Sequence, residues 1–414
     1  MKNAHRFVGV WVGCAVLLSA WCACAQDWPQ WRGPNRDGKV VGFTPPAPMP
    51  PAMTQKWKVT VGLGDATPAL VGDKLYVFAR QGDEEVTLCL SVADGKVLWQ
   101  DKAPAPVVPP PANSHSGPRS SPAVANGKVV TLGVGGVVSC LDAATGAVSW
   151  RKDPFPGMVP RFYTGSSPMI VGGIADGMAI VQPGGQGTGG VVAFDLATGN
   201  VKWQWTAEAP QYSSPVMMTV EGTKIVVTMS EKSVVGIAEA DGKLLWQIPF
   251  MPQGMAYNSA TPIVDGQTVI FTGVGRGTRA VQIEKQGDAF TVKDLWTNAD
   301  MASQFNTPVL DNGFLYGLSG RGMLYCLNAK TGQTAWAGAD AVGPRGFGQL
   351  VDVGVALLLL PNTGEMIVFK PAGDAYAELT RLKAADTPTY ASPVISGNNV
   401  FVKDQDSVIL WAFD

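Results

Sequence analysis

The chain has 414 residues, 46% hydrophobic and 15% charged, which excludes a disordered chain and fits two or three ordinary domains or one large repeat array. Its 31 basic and 33 acidic residues leave a formal charge of −2. No basic face stands out, so a nucleic-acid partner has no electrostatic support.

Residues 1–25 read as a secretion signal. Lys2 and Arg6 supply a positive start, Phe7 to Ala20 an apolar run, and Ala23-Cys24-Ala25 a small-residue cleavage site. The apolar run is shorter than the roughly 20 residues that span a bilayer, which argues against a retained anchor. Lipidation at Cys22 or Cys24 would leave Trp21 at an unsuitable position. The expectation is an exported chain, periplasmic or secreted and able to associate with the outer membrane, with no transmembrane segment after signal removal.

Residues 26–54 form a Trp- and Pro-rich arm containing Trp28-Pro29-Gln30-Trp31-Arg32-Gly33-Pro34. Pro and Gly at this density exclude a helix or a central strand. Two nearby tryptophans are costly to leave in water, so the arm is expected to dock on the body rather than serve as a partner-binding arm.

From residue 55 the chain repeats with a period of 40 to 50 residues. The sharpest copy is Ala193-Phe194-Asp195-Leu196-Ala197-Thr198-Gly199-Asn200-Val201-Lys202-Trp203, read as A-x-D-x-x-T-G-x-x-x-W. It describes a strand, a turn whose Gly supplies φ > 0, and a second strand carrying a large Trp. Worn copies end at Trp99, Trp150, Trp246 and Trp336, four residues beyond Gly95, Gly146, Gly242 and Gly332. A small residue plus Pro opens each unit, at Pro68, Pro122, Pro168, Pro215, Pro262, Pro308 and Pro393, with Gln349 substituting in one copy. Cys89, Cys140 and Cys326 occupy one structural position in three units, where Ala193 stands in the best copy. Equivalent positions in separate units do not meet disulfide geometry, so these are expected to be small buried side chains.

The last unit stops after three strands, and Gln55–Val59 has no unit of its own. Letting that segment supply the missing strand closes the array and removes its edges. The expected fold is all-β: an eight-bladed β-propeller of four-stranded antiparallel blades over residues 55–414, closed by strand 55–59. No helix-period segment follows the signal, which excludes a helical solenoid.

The repeat motif resembles the tryptophan-docking motif of the pyrroloquinoline-quinone (PQQ)-type propeller family, strongly at Ala193 to Trp203 and well at Cys140 to Trp150 and Cys326 to Trp336. The arm resembles the W-P-x-W-R-G-P opening of secreted members. WD-type propellers are the runner-up fold, but their Gly-His and Trp-Asp signatures are lacking. The resemblance implies one of two roles. One branch comprises quinoprotein dehydrogenases, which hold the quinone with Ca²⁺, a catalytic Asp and commonly a vicinal disulfide. The other comprises non-enzymatic propellers, such as the lipoprotein that assists outer-membrane β-barrel assembly. After the signal this chain has no adjacent cysteines and none of the dehydrogenases' long insertions. Its acidic residues Asp94, Asp142, Asp195 and Asp241 fall in hairpin turns, so no catalytic residue carries over.

Other chemistries have little to work with. His115 is the only histidine after the signal, so a His-based metal cluster is excluded, and its place in a Pro-rich connection suggests an exposed loop residue. Gly185-Gln186-Gly187-Thr188-Gly189-Gly190 matches G-x-G-x-x-G but lies between strands, as a hairpin tip.

One constellation is left. The connections into the innermost strands carry Tyr163, Tyr212, Tyr257, Phe305, Phe347 and Tyr390, together with Arg119, Arg161, Arg345, Asn258 and Gln304. In a propeller these connections share one face, around the mouth of the central channel. A ring of aromatic, Arg and amide groups suits a peptide, glycan or flat ligand, whereas inter-blade packing would use the aromatics alone. The expected function is an exported, non-catalytic, monomeric scaffold that binds protein, peptide or glycan in the cell envelope and needs no cofactor. A PQQ-dependent dehydrogenase or quinone-binding sensor, using PQQ and Ca²⁺, is the alternative.

Overall fold

A computed structural model describes residues 26–40, 43, 46 and 49–413; the expected signal at 1–25 lies outside the described residues. Among the described residues the strands form eight four-stranded antiparallel sheets and one two-stranded hairpin. Seven sheets are simple meanders, which we number as blades one to seven: residues 69–104, 123–152, 169–205, 216–249, 263–298, 309–341 and 348–383. Blade eight takes three strands from residues 394–412 and its outermost strand from Thr54–Thr60, which pairs antiparallel with Ser407–Ala412. The ends of the chain therefore share one sheet, and the propeller is closed. Among the described residues no helix is long and apolar enough to cross a membrane.

The burial of each strand follows its place in the blade. Inner strands lie between two neighbouring blades and read as nearly unbroken apolar runs, such as Leu357–Pro361. Outermost strands such as Val97–Pro104 cover their blade with one face only and alternate accordingly. The core sits between blades; one cluster joins Val130 and Leu132 of blade two to Ala179, Val181 and Phe194 of blade three.

The repeat motif fastens blade to blade. Trp99, Trp150, Trp203, Trp296 and Trp336 donate their indole N–H to a turn carbonyl of the next blade, over 2.8 to 3.2 Å. Trp57 of the closing strand does the same to Val92 of blade one, at 2.9 Å. The turn glycine lies under the docked ring: Gly199 has φ 69°, and a Cβ there would fall 2.6 Å from Trp150. Trp99, Trp150, Trp203, Trp296 and Trp336 each face a small residue across their own sheet, and this explains the cysteines. Cys89, Cys140 and Cys326 pair with Trp99, Trp150 and Trp336, as Ala193 pairs with Trp203. All three thiols are free and buried, and burial pushes those of Cys89 and Cys140 up to about 11.

The residue before each landmark Pro builds a second fastening around the channel. Ser392 N–H donates to Thr67 Oγ1, and the pattern runs on through Thr67 to Ser121, Ser121 to Ser167, Ser167 to Ser214, Ser214 to Thr261 and Thr261 to Thr307, at 2.9 to 3.0 Å. This hydroxyl belt links blades eight, one, two, three, four, five and six in turn. It breaks at blade seven, where Gly348-Gln349 replaces the hydroxyl residue and Pro, and Ser392 Oγ is left without a partner.

Candidate functional site

The N-terminal arm enters the central channel from the face opposite the connections. Trp28 exchanges two backbone hydrogen bonds with Leu70 of blade one, and Val124 N–H of blade two donates to Pro29. Farther along, Val40 N–H donates to Asp352 of blade seven, so the arm returns to the face it came from. At the tip of this loop two buried guanidinium groups tie it to the inner strands. Arg32 donates to the carbonyls of Thr307 and Pro308, at 2.9 and 3.0 Å, and Arg36 to those of Ser167 and Pro168, at 3.0 and 2.7 Å. Both lie over the Trp31 ring, at 5.6 and 5.5 Å from its centroid. Burial lowers the pKa of Arg32 to about 10 and of Arg36 to about 9, within the range that keeps both charged at neutral pH.

The arm turns the channel into a blind cup of about 740 Å³ with Trp31 in its floor. Two aromatic groups line the wall. Tyr257 meets Phe162 and Tyr212 edge-on, with centroids 5.4 and 5.7 Å apart. Phe305 and Phe347 stack at 4.4 Å, and Phe347 meets Tyr390 edge-on at 5.3 Å. Arg119, Arg161 and Arg345 share this lining with the belt hydroxyls of Thr67, Ser121, Ser214, Thr307 and Ser392. Arg119 donates to the carbonyls of Phe162 and His115. Arg161 and Arg345 are exposed and form no ion pair among the described residues.

Three of the expected rim residues do not reach the cup. Tyr163 packs against Val108, Ala112 and Val134, and its hydroxyl donates to Val107 O at 3.3 Å. Its φ of 67° reverses the chain, and it is the neighbouring Phe162 that lines the cup. Asn258 is fully buried: Nδ2 donates to Ser230 and Phe250, while Oδ1 accepts from Arg276 at 2.7 Å. Gln304 is buried away from the lining. His115 also departs from expectation. It ends a short 3₁₀ turn, Asn113–His115, donates from Nδ1 to Asp65 Oδ2 at 2.8 Å and meets Tyr390 edge-on at 4.7 Å. Sequence reasoning missed Trp31, Phe162 and Asp65 as lining residues. The arm's Trp-Arg pairing was the available signal for Trp31; nothing in the spacing separates Phe162 from Tyr163.

Asp65 is the only carboxylate in the cup lining, and no group of three or more His, Cys, Asp or Glu residues that could hold a metal ion occurs among the described residues. Ca²⁺ takes six to eight oxygen ligands, usually several carboxylates, so these donors do not fit a calcium-assisted quinone site. The hairpin-turn acids satisfy backbone donors instead. Asp195 Oδ1 accepts from the hydroxyl and amide of Thr198, which holds its carboxyl below the usual range.

The family model described as outer membrane protein assembly factor BamB matches residues 49–175 and 112–338, most of the chain. The chain belongs to the PQQ-like propeller family. Among curated members, outer membrane protein assembly factor BamB of Burkholderia pseudomallei is 24% identical over 411 residues, covering 95% of each chain. Tetrathionate hydrolase of Acidithiobacillus ferrooxidans is 25% identical over 53% of this chain and 43% of its own length. In fold, the PQQ-like propeller here resembles BamB of Moraxella catarrhalis, with TM-score 0.66, 16% identity and coverage of 87% and 100% of the two chains. It also resembles quinohemoprotein alcohol dehydrogenase of Comamonas testosteroni, with TM-score 0.68, 14% identity and coverage of 94% and 80%. PQQ-like propellers of both kinds share this architecture, so the fold alone does not separate scaffold from enzyme.

Proposed function

We propose that this chain is an exported, non-catalytic propeller that binds protein during outer-membrane assembly and presents the cup-bearing face to its partner. The observation that carries the reading is the composition of that face. Around the aromatic cup its connections expose Val107 (81%), Met251 (60%) and Met255 (80%), with Met255 also in the cup lining. Exposed apolar side chains rimming a concave aromatic site are characteristic of a protein interface, and methionine adapts to varied partners. The Burkholderia pseudomallei BamB relative, aligned over 95% of the chain, supports the same direction. A location in the periplasm or at the outer membrane goes with this role.

A catalytic reading is second, favoured by the tetrathionate hydrolase likeness and the dehydrogenase fold; the donor set of the cup speaks against its quinone form. The test is genetic. Deleting the gene in its host should lower the level of folded β-barrel proteins in the outer membrane. Wild type should restore it, and a chain carrying Tyr257→Ala and Met255→Asp should not. Unchanged barrel levels on deletion, together with turnover by the purified chain given PQQ and Ca²⁺ or tetrathionate, would replace the scaffold reading.

A further inference from the structure

The cup holds more positive charge than its own acids balance. Arg161 and Arg345 stand at the rim without ion pairs among the described residues, and Arg119 lies in the wall. Behind the floor, Arg32 and Arg36 are fully buried and bond only to backbone carbonyls and the Gln30 amide oxygen. Against these five cations stand Asp65, whose carboxylate is already bonded to His115, and Asp37, whose charge acts on Arg32 behind the floor. The field in a concave, partly desolvated site with this balance favours an anion.

The hydroxyl belt adds directed donors. The oxygens of Thr67, Ser121, Ser214 and Thr307 each accept a backbone N–H from the preceding blade, which fixes them in the channel wall. None of these hydroxyls has an acceptor for its own proton among the described residues. Ser392, 2% exposed and in the cup lining, has an Oγ with no partner at all. Buried hydroxyls are normally satisfied; Ser120, Ser166 and Ser213 are orphans outside the lining, whereas Ser392 is an orphan that belongs to it.

We infer that the cup takes a carboxylate-bearing segment of a polypeptide. An Asp or Glu side chain meets the arginines and belt hydroxyls, and a neighbouring apolar or aromatic side chain packs on the Tyr212–Tyr257 or Phe305–Phe347 wall. A volume of about 740 Å³ admits a short extended segment and excludes a folded domain. This assignment rests on the reading that the face receives a protein, and it names what that protein must present.

Calorimetric titration of the mature chain tests it. The probes are acetylated, amidated hexapeptides alternating Glu or Asp with Phe, Tyr or Leu, their Gln and Asn counterparts, free glutarate, and inorganic phosphate. The acidic peptides should bind, should lose about tenfold or more when amidated at the side chains, and should weaken as salt rises. The exposed double variant Arg161→Gln, Arg345→Gln should lose a similar factor with unchanged thermal unfolding. Equal binding of acidic and amide peptides would overturn the carboxylate assignment while leaving a peptide-binding face. Glutarate or phosphate binding as tightly as the peptides would make the cup a small-anion site and overturn it too. No binding by any acidic peptide, with barrel assembly still dependent on the gene, would overturn this inference alone.

Discussion

At the scale of single residues, the buried acid Glu85 shows how a fastening can carry a cost. Its Oε1 accepts from Val134 N–H of the next blade at 2.6 Å, joining blades one and two. Burial raises its pKa from 4.5 to about 7, outweighing the stabilising bond from Val134 and the nearby Arg80 charge. The folded state therefore binds this proton more tightly than the unfolded state does. Its contribution is full below about pH 4.5 and is lost as pH rises toward 7. Glu85→Gln keeps an acceptor for Val134 but has no charge to desolvate. Chemical denaturation at pH 4.5 and pH 8 should show the variant gaining on wild type by about 2 to 3 kcal/mol between the two. An unchanged difference would mean that Glu85 ionises in the fold without penalty.

At the scale of elements, blades are joined by repeated devices, and the places where a device is missing can be compared with those where it is made. Trp150 is docked on blade three, its indole N–H bonded to Leu196 O at 3.0 Å. Trp246 faces blade five, whose two outer strands run on as a ten-residue hairpin, Gly277–Gln286 and Ala289–Asn298, instead of turning at a docking glycine. Its buried Nε1 has no partner. Trp150→Phe should then cost about 1 kcal/mol more than Trp246→Phe in denaturant unfolding, because only the first removes a hydrogen bond, leaving Leu196 O with the weak Cys140 thiol donor at 3.6 Å. Equal costs would show that ring volume alone matters. The repeat was legible from Gly and Trp at fixed spacing, since φ > 0 and a large ring each admit few residues. The closing strand was legible by subtraction, and Thr54–Thr60 pairs where Gln55–Val59 was placed. The course of the arm was not: its position depends on inner-strand carbonyls that become available only once the blades are assembled. Phe162 was mistaken for Tyr163 because one positive-φ residue shifts which ring faces the channel.

At the scale of the whole molecule, two faces of one disc differ in kind. One carries the inner hairpin turns, the Trp-docking turns and the entry of the arm. The other carries the connections, the exposed methionines and the cup. Closure of the ring makes the channel, and the arm lies across it with Trp31 in the cup lining. The lining of the cup is thus assembled from segments far apart in sequence, from Trp31 to Ser392.

Site-specific photocrosslinking in the cell envelope distinguishes the two faces. A benzoylphenylalanine at Met255 on the cup face is compared with one at Val355, 64% exposed on the opposite face. A discrete crosslink to an outer-membrane assembly component is expected from position 255 and none from position 355. A crosslink from 355 alone, or none from 255 in cells that assemble barrels normally, would contradict that expectation.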